Sequence, residues 1–402
     1  MSGRTGLFAD PLEKSRIRLE WGGRKLELSA PFSVFSNTWI DRGTLLLLEH
    51  LPDGEPATFL DLGCGYGALG LPIAAAHPVS RGLLVDRDLL AVAYARRNVV
   101  LHKIRNVSVV GSLGYRGIHS VWGPFDWILS NFPARAGDRA FAHFLTEGVR
   151  SLSPGGEMRV VVIAPLAKGL EETARALGIP GETVARTEQH AVFSFRCGEV
   201  RPAQVADEVY DRDTVEVALA GLEKPLRLTR PTDLADEPYR LAESMPFLAE
   251  CLLADLPRDA RILVFRCGYG LLAALTVKRY PGATVVAVDR DLLGTEFTRR
   301  NCSDEGARLR VIEAVGLEEA VQAGPYDLVV GELLPPLGIA GTLIELEQVR
   351  SALKPGGTAL VVGLKKEWRE IVKAGQKPAA WERVQAGKSV AVFAASRGQG
   401  AC

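Results

Sequence analysis

The chain repeats itself with a period of about 200 residues, and this feature most constrains its fold. Cys64-Gly65-Tyr66-Gly67 recurs as Cys267-Gly268-Tyr269-Gly270 at an offset of 203. The segments that begin Asp86-Arg87-Asp88 and Arg96-Arg97-Asn98 recur at the same offset, and two later matches follow at offsets of 201 and 200. The sequence therefore predicts two homologous domains, 1–200 and 201–402, with a seam near 197–203. The period is far too long for a solenoid.

The composition is that of an ordinary globular protein without net charge. Among 402 residues, 48 are Lys or Arg and 48 are Asp or Glu, so any nucleic-acid partner has to be held by a local basic patch. The six cysteines form no Cys-x-x-Cys pair, which predicts neither a disulfide framework nor a metal site. No secretory signal is evident, and no apolar run reaches the roughly 20 residues that span a bilayer. We therefore expect a cytoplasmic protein without membrane contact.

Short apolar runs alternate with helical patterns inside each copy, which predicts an α/β fold. The predicted strands of the first copy lie at 58–62, 82–85, 106–110, 127–130 and 157–163, and the predicted helices lie at 67–76 and 89–101. Such alternation is typical of a mostly parallel sheet with helices on both faces. A hairpin precedes each core, at 17–28 and at 215–228.

A glycine-rich loop lies between the first predicted strand and helix. It reads Asp61-Leu62-Gly63-Cys64-Gly65-Tyr66-Gly67, and Asp86 ends the next strand. Glycines allow the backbone to turn sharply and to approach a ligand closely, and a carboxylate at the position of Asp86 can accept both hydroxyls of a ribose. The spacing predicts a nucleoside-type cofactor, against the alternative of a tight turn followed by a solvated carboxylate.

Two cofactor classes remain open for this loop. Gly65, Gly67 and Gly70 spell the dinucleotide pattern Gly-x-Gly-x-x-Gly, which suits NAD. Asp61, two residues before the first glycine, instead suits the cationic amino-acid end of S-adenosylmethionine. A dinucleotide site keeps the helix N-terminus free for a pyrophosphate, so the acid favours S-adenosylmethionine.

The segments 61–67, Ser130-Asn131-Phe132-Pro133 and Pro154-Gly155-Gly156, together with Asp86, resemble class I S-adenosylmethionine-dependent methyltransferases. Upstream, Phe35-Ser36-x-x-x-x-Asp41-x-Gly43 narrows the resemblance to the "small-domain" type, especially the tandem-domain ribosomal RNA guanine-N2 methyltransferases. The resemblance implies two Rossmann-like domains, each with a mostly parallel seven-stranded sheet. It also implies S-adenosyl-L-methionine as cofactor, ribosomal RNA or a ribosomal subunit as partner, and a monomer whose two domains pair within the chain.

The resemblance also implies which residues act on the acceptor. In that family an Asn-Pro-Pro-aromatic motif accepts the hydrogens of the target amine and stacks a ring on the base. This chain reads Asn131-Phe132-Pro133-Ala134, which keeps the asparagine and lacks the first proline and the final aromatic residue. We predict Asn131, Phe132 and Pro133 as catalytic, with Phe132 either supplying the ring or packing in the core. The predicted cofactor contacts are Asp61, Gly63, Cys64, Gly65, Gly67, Asp86, Arg87, Ser112 and Asn131.

The second copy departs from the pattern at the residues that carry the chemistry. Val264 and Arg266 stand where the first copy has Asp61 and Gly63, and Glu332 stands where it has Asn131. An arginine side chain would crowd the close backbone approach that the loop requires. We therefore expect a catalytic first domain and a degenerate second domain with a structural or substrate-positioning role.

Several functions fit these motifs. The first is methylation of an exocyclic guanine amine in ribosomal RNA, and the second is methylation of a protein side chain or a small molecule. A non-catalytic assembly protein and an NAD-linked oxidoreductase are further alternatives. The tryptophans of the first copy are expected to pack in the core or against the hairpin rather than to stack on bases: Trp21, Trp39, Trp122 and Trp127.

Overall fold

The computed structural model describes residues 10–118, 122–135, 137–196, 208–232, 239–252, 255–333, 337–373 and 381–397. The chain divides into two compact units, of which one is Glu13–Asp211 and the other combines Arg212–Cys402 with Met1–Leu12. The predicted seam at 197–203 lies outside the described residues.

Each unit is an alternation of strands and helices behind a two-stranded hairpin. The first unit contains β1 (Glu13–Trp21), β2 (Arg24–Pro31), α1 (Arg42–Glu49), β3 (Thr58–Leu62), α2 (Gly70–Ala76), β4 (Arg81–Asp86), α3 (Leu89–Leu101), β5 (Val107–Gly111), β6 (Phe125–Asn131), α4 (Gly137–Ser151), β7 (Leu152–Ile163), α5 (Ala164–Ala176), β8 (Gly181–Arg186) and β9 (His190–Arg196). The second unit, with a 3₁₀ helix at Ser303–Arg308, contains β10 (Asp211–Val217), β11 (Leu226–Pro231), α6 (Tyr239–Cys251), β12 (Arg261–Phe265), α7 (Leu271–Arg279), β13 (Thr284–Asp289), α8 (Leu292–Asn301), β14 (Leu309–Glu313), α9 (Glu318–Ala323), β15 (Tyr326–Glu332), α10 (Gly338–Ala352), β16 (Leu353–Leu364), α11 (Lys365–Lys373), β17 (Glu382–Ala386) and β18 (Val390–Ser396).

The two large sheets have the same topology. Their strand orders are β5-β4-β3-β6-β7-β9-β8 and β14-β13-β12-β15-β16-β18-β17. In the first sheet the five strands from β5 to β7 pair in parallel, and β9 pairs antiparallel with β7 and β8. The predicted fold of two mostly parallel seven-stranded α/β sheets with hairpin prefaces is confirmed.

The strand order creates a crevice at one edge of each sheet. β4 lies on one side of β3 and β6 on the other, so the connections that follow β3 and β6 leave the sheet in opposite directions. Ligands of open α/β sheets bind at such a switch point, outside the carboxyl ends of the strands. The glycine loop follows β3 and Asn131 ends β6, so both lie at this edge.

A buried asparagine on α3 joins the hairpin to the glycine loop. Asn98 donates from Nδ2 to the carbonyls of Ser29 and Tyr66, both at 2.9 Å, and its Oδ1 accepts from the Ser29 amide at 2.8 Å. Asn301 makes the same three bonds with Thr229 and Tyr269, at 2.8 to 2.9 Å. Buried amide side chains need such partners, which explains why the Arg-Arg-Asn segment occurs in both copies.

The predicted strands and helices of the first copy are all present, but several boundaries move, most of all at β7, which begins at Leu152 rather than at residue 157. The helix predicted at 67–76 begins at Gly70, because Gly67 is held at φ +95° and extends the turn. The hairpin predicted at 17–28 is longer, since its pairing runs from Glu13 opposite Pro31 to Trp21 opposite Arg24. No helix within the described ranges is long and apolar enough to cross a membrane.

Candidate functional site

The glycine loop after β3 turns at residues with left-handed backbone. Gly63 has φ +79° and Gly65 has φ +55°, a region that L side chains rarely adopt. A Cβ built on either glycine would meet no heavy atom within 4 Å, so open space lies over the loop. The amides of Gly63 and Cys64 both donate to the Val85 carbonyl at 2.9 Å, which fixes the loop against β4.

Asp86, at the end of β4, braces this loop with its carboxylate. Oδ2 accepts from the Gly65 amide and Oδ1 from the Asp88 amide, each at 2.8 Å. The half-buried side chain therefore lies beside the glycines at the edge of the crevice. Arg87, which follows it, is also half-buried.

Asp61 lies beneath the loop and is buried. Its Oδ2 accepts from the amide of Gly70, the first residue of α2, at 2.8 Å, as carboxylates do at helix N-termini. Burial, the largest effect, raises the pKa of Asp61, the Gly70 bond lowers it and the charge of Asp86 raises it, with a net pKa of about 7. A nearby cation would lower the pKa of this carboxyl group, because the positive charge stabilises the ionised form.

Asn131 is oriented by the start of helix α1. Its Nδ2 donates to Oδ2 of Asp41 at 2.9 Å and to Oγ1 of Thr44 at 3.1 Å. The same Asp41 oxygen caps α1 by accepting from the Thr44 amide at 3.1 Å. Because a carboxylate only accepts hydrogen bonds, the Asn131 amide has to present its nitrogen to Asp41. The orientation of the Asn131 carbonyl oxygen is thereby fixed.

The close packing around Asp41 explains the glycine two residues later. A Cβ on Gly43 would lie 2.8 Å from Oδ2 of Asp41 and 2.9 Å from the ring of His190. Any side chain at this position would therefore displace the oxygen that holds Asn131. The contact between Asp41 and Asn131 was not predicted from the sequence, where Asp41 and Gly43 served only for the resemblance. The signal was available, since Asp-x-Gly-Thr before an apolar run is typical of a helix N-cap.

Phe132 and Pro133 follow Asn131 and differ in exposure. The Phe132 ring is only 3% exposed. It lies parallel to the Phe141 ring, with the two ring centroids 5.7 Å apart, and its centroid is 5.5 Å from that of Phe144. Of the two roles considered, the structure therefore gives Phe132 the core-packing one, because a buried ring offers no face to a base. Pro133 is exposed on the loop.

The remaining predicted cofactor contacts line the same edge through their backbone. Ser112 follows β5, and its amide donates to the Asp86 carbonyl at 2.9 Å. Its hydroxyl is engaged inside the turn, with the carbonyls of Gly114 and Arg116 at 2.9 and 3.0 Å. Cys64 is buried, which raises the pKa of its thiol. The Gly67 amide closes the loop on the Cys64 carbonyl at 2.9 Å.

The second unit fills the corresponding space with an ion pair. Arg266, at the position of Gly63, has φ +51°. Its guanidinium donates from Nε and Nη2 to the two carboxylate oxygens of Glu345 at 2.9 and 2.8 Å. Val264 and Glu332, which replace Asp61 and Asn131, are buried. Asp289 keeps the bracing bonds, with the amides of Gly268 and Asp291 at 2.8 and 3.0 Å.

The first unit thus brings Asp61, Asp86, Asn131 and the open glycine turns to one sheet edge. Two carboxylates under and beside the loop suit a cationic ligand that carries hydroxyl groups. Among the described residues, no group of three or more His, Cys, Asp or Glu side chains is arranged to hold a metal ion.

Comparison with known proteins gives matches at the level of family, sequence and fold. The family model described as Methyltransferase small domain matches residues 25–194 and 242–372. A ribosomal RNA small subunit methyltransferase C from Pseudomonas putida (strain W619) is 36% identical over 159 residues, which are 38% of this chain and 47% of that protein. Its counterpart from Pseudomonas entomophila (strain L48) is 37% identical over 160 residues, with the same coverage. The chain spans about half the length of the curated relatives it matches.

One solved structure matches over nearly the whole chain. It is a T. thermophilus 16S rRNA N2 G1207 methyltransferase in complex with AdoMet and guanosine, with a TM-score of 0.69 and 17% identity. The match covers 96% of this chain and 99% of that one. At 17% identity, the likeness shows that the two chains share the tandem fold.

Proposed function

This chain belongs to the methyltransferase small domain family, and on that premise we propose that it is an AdoMet-dependent methyltransferase of ribosomal RNA whose first domain is catalytic. The observation that carries the proposal is the assembly of open glycine turns, Asp86 and an oriented Asn131 at one sheet edge. The named relatives, which are ribosomal RNA methyltransferases, support this choice of acceptor.

The loop and its two carboxylates fit AdoMet. The space above Gly63 and Gly65, which a Cβ would enter, allows the ligand to approach the backbone. Asp86 would accept from the ribose hydroxyls, and Asp61 would stabilise the cationic amino-acid end. Loop residues 63–67, Arg87 and Ser112 would complete the pocket. Bound AdoMet supplies an electrophilic methyl group.

Asn131 would orient the acceptor amine. An exocyclic amine offers N–H donors and needs acceptors, and the Asn131 carbonyl oxygen is an acceptor whose direction is set by Asp41 and Thr44. Alignment of the amine nitrogen supplies most of the catalysis in such a reaction. We therefore propose an exocyclic guanine amine, at N2, as the target, and Asn131 as its main orienting group, with Pro133 shaping the exposed side of the loop.

The second domain would bind no AdoMet and act as a structural or substrate-positioning partner. Arg266 occupies the position where the ligand would approach the backbone, and its pairing with Glu345 holds it there. The second domain has Val264 at the position of Asp61, so it lacks the carboxylate that would stabilise the cationic end of the ligand. We further expect a monomeric protein that acts in the cytoplasm, where ribosomal RNA is available.

The proposal is tested by offering the protein labelled AdoMet with separate acceptors: naked ribosomal RNA, small subunits, large subunits and total cell protein. Label is expected in small-subunit RNA, and digestion to nucleosides should yield N2-methylguanosine. Label in protein alone would favour a protein acceptor instead of RNA. This alternative is tested because Ala134 stands where the RNA-methyltransferase motif has an aromatic residue. Absence of label in every fraction, despite AdoMet binding, would contradict the proposed activity.

A further inference from the structure

Two large aromatic side chains beside the candidate site lie in solvent. Phe35 is 72% exposed and Trp39 is 66% exposed. Trp39 therefore does not pack in the core, although it lines a groove with residues of the hairpin, whereas Trp127 is buried and Trp21 is half-buried. Both rings expose apolar surface to water, and exposed aromatic side chains near a candidate site are candidates for contact with a ligand.

The segment that carries these rings, residues 32–40, is held in an unusual backbone conformation. Ser33 has φ +64° and Ser36 has φ +52°, which costs free energy for residues other than glycine and is found at functional sites. Ser36 donates from Oγ to the Trp39 carbonyl at 2.7 Å and accepts at its own carbonyl from Tyr66 Oη at 3.0 Å. The aromatic loop, as we call residues 32–40, is thus fixed to the glycine loop.

The aromatic loop is also tied to the acceptor side of the crevice. Asp41, which orients Asn131, follows Trp39 by two residues, so their Cα atoms are at most about 7 Å apart. The loop is therefore anchored to the glycine loop at its middle, where Tyr66 bonds the Ser36 carbonyl, and to Asn131 just after its end, through Asp41. Phe35, next to Ser36, and Trp39, two residues before Asp41, therefore lie close to these anchor points along the chain.

Positive charge lies next to the aromatic loop on the outer face of the hairpin. A groove of about 860 Å³ is lined by Arg16, Arg18 and Trp39 among others. Arg18 is 88% exposed and reaches Glu27 only at 3.8 Å. The buried face of β1 carries Ile17 and Leu19. The charged side chains on the outer face or bonded to it are Lys14, Arg16, Arg18 and Lys25 against Glu13, Glu20 and Glu27, and Glu13 accepts from Arg16 at 2.9 Å.

We infer that the aromatic loop and the outer face of β1 bind the single-stranded RNA that flanks the target nucleotide. Phe35 and Trp39 stack on unpaired bases, and Arg18 contacts a phosphate. Stacking suits RNA because every base has an aromatic face and sequence-specific RNA recognition targets unstacked nucleotides. The exposed guanidinium of Arg18 complements a phosphate backbone. This inference rests on the proposed RNA acceptor.

The first test compares Phe35→Ala, Trp39→Ala and the double variant with the wild type. Binding is measured by fluorescence polarisation on an oligouridine with a central guanosine, without AdoMet, and on the duplexed form of the same RNA. Each alanine should weaken single-strand binding by about 5- to 150-fold, the usual range for one stacked base. Trp39→Phe should retain most of the affinity, because the ring face is kept. Val100→Ala, at a side chain 76% exposed on α3, is the matched control and should change nothing.

The second measurement distinguishes a loss of RNA binding from a loss of folding and from a loss of methyl transfer. In methylation of small-subunit RNA, the double variant should raise KM and leave kcat and the AdoMet dissociation constant unchanged. Arg18→Gln should lower the slope of log affinity against log salt by about one unit, as expected for one phosphate contact.

The outcomes distinguish this inference from the proposed function. A wild type that binds RNA through the rings yet methylates no RNA refutes the proposed function alone. RNA methylation with an unchanged KM in the double variant overturns the role of the rings. Equal loss on single-stranded and duplex RNA would overturn stacking, and a loss confined to methylation of cell protein would assign the loop to a protein acceptor.

Discussion

The glycine loops of the two domains share their scaffold and differ in the space above it. In both, an aspartate at the end of the second parallel strand accepts from the loop amide, and an asparagine of the following helix donates to the loop tyrosine carbonyl. Above this scaffold the first domain has Gly63 with open space, whereas the second has Arg266 paired with Glu345.

This difference shows which part of a repeated motif is structural. Asp289 is retained although Val264 and Arg266 are unsuited to a cationic ligand, because its carboxylate is needed to brace the turn. The repeated residues therefore report how the loop is built. The residues that differ between the copies report what the loop can bind.

The largest expected effect comes from moving the feature of the second domain into the first. Gly63→Arg should abolish detectable AdoMet binding in calorimetry, because the side chain would occupy the space that the ligand needs. The left-handed backbone is not the obstacle, since Arg266 adopts φ +51° at the corresponding position.

Gly54→Arg is the matched control for this substitution. Gly54 has φ +88° and nothing within 4 Å of a built Cβ, and it lies in an exposed turn before β3. If both variants lose AdoMet binding, backbone strain rather than occupied space explains the loss.

Removal of the orienting side chain should have the next largest effect. Asn131→Ala should lower kcat by about 100-fold, as misalignment does in other enzymes, while the AdoMet dissociation constant stays nearly unchanged, because the contact acts on the acceptor. Steady-state kinetics on small-subunit RNA together with calorimetry check both values. Full activity in this variant would show that transfer takes place elsewhere.

Substitution of Asp86 and of its counterpart Asp289 should distinguish support of the loop from contact with AdoMet. Asp86→Ala should weaken AdoMet binding about 10- to 100-fold, the range expected for the loss of charged hydrogen bonds. Asp289→Ala removes the same two bracing bonds from the second loop and should leave the affinity unchanged. Calorimetry on the two full-length variants is the measurement, and equal losses would refute the asymmetry between the domains.

The smallest effect is a pH dependence that only the first domain can show. Because burial raises the pKa of Asp61 to about 7, the carboxyl is mostly neutral at pH 6 and mostly ionised at pH 8. AdoMet binding should therefore be about tenfold weaker at pH 6 than at pH 8, which isothermal titration at both pH values would measure.

The Asp61→Asn variant supplies the control for this dependence. Its side-chain oxygen can still accept from the Gly70 amide, so the fold of the turn is kept, but the pH slope should disappear. The raised pKa also means that the unliganded domain gains stability from neutral Asp61 at low pH, and loses it as the pH rises through about 7. A slope that persists in Asp61→Asn would assign the titration to another group.

Sequence alone predicted the scaffold because local rules determine it. The repeat, the alternation of strand and helix, and the glycine turn identified the topology and the edge on which Asp86 and Asn131 meet. The helix at 89–101 was predicted with its observed bounds, since Asp88 caps it by accepting from the Leu90 amide.

The details that depend on long-range contacts were not predictable in this way. The contact of Asn131 with Asp41 joins residues 90 positions apart, and no local pattern specifies it. The burial of Phe132 depends on Phe141 and Phe144 of α4, and the loop that carries the exposed Trp39 is held by a bond between Tyr66 and the Ser36 carbonyl. Helix α1 and its cap were not predicted, because Asp41 was considered only as a part of a family motif.

The shared oxygen of Asp41 links two processes that are usually measured separately. One atom caps the first turn of α1 and holds the amide of Asn131, so local opening of that turn would release Asn131 without unfolding the domain. Turnover would then report the fraction of molecules with a docked first turn. Activity should consequently decline on heating before the bulk circular dichroism signal changes, and amide exchange at Thr44 should follow the same temperature profile as the loss of activity.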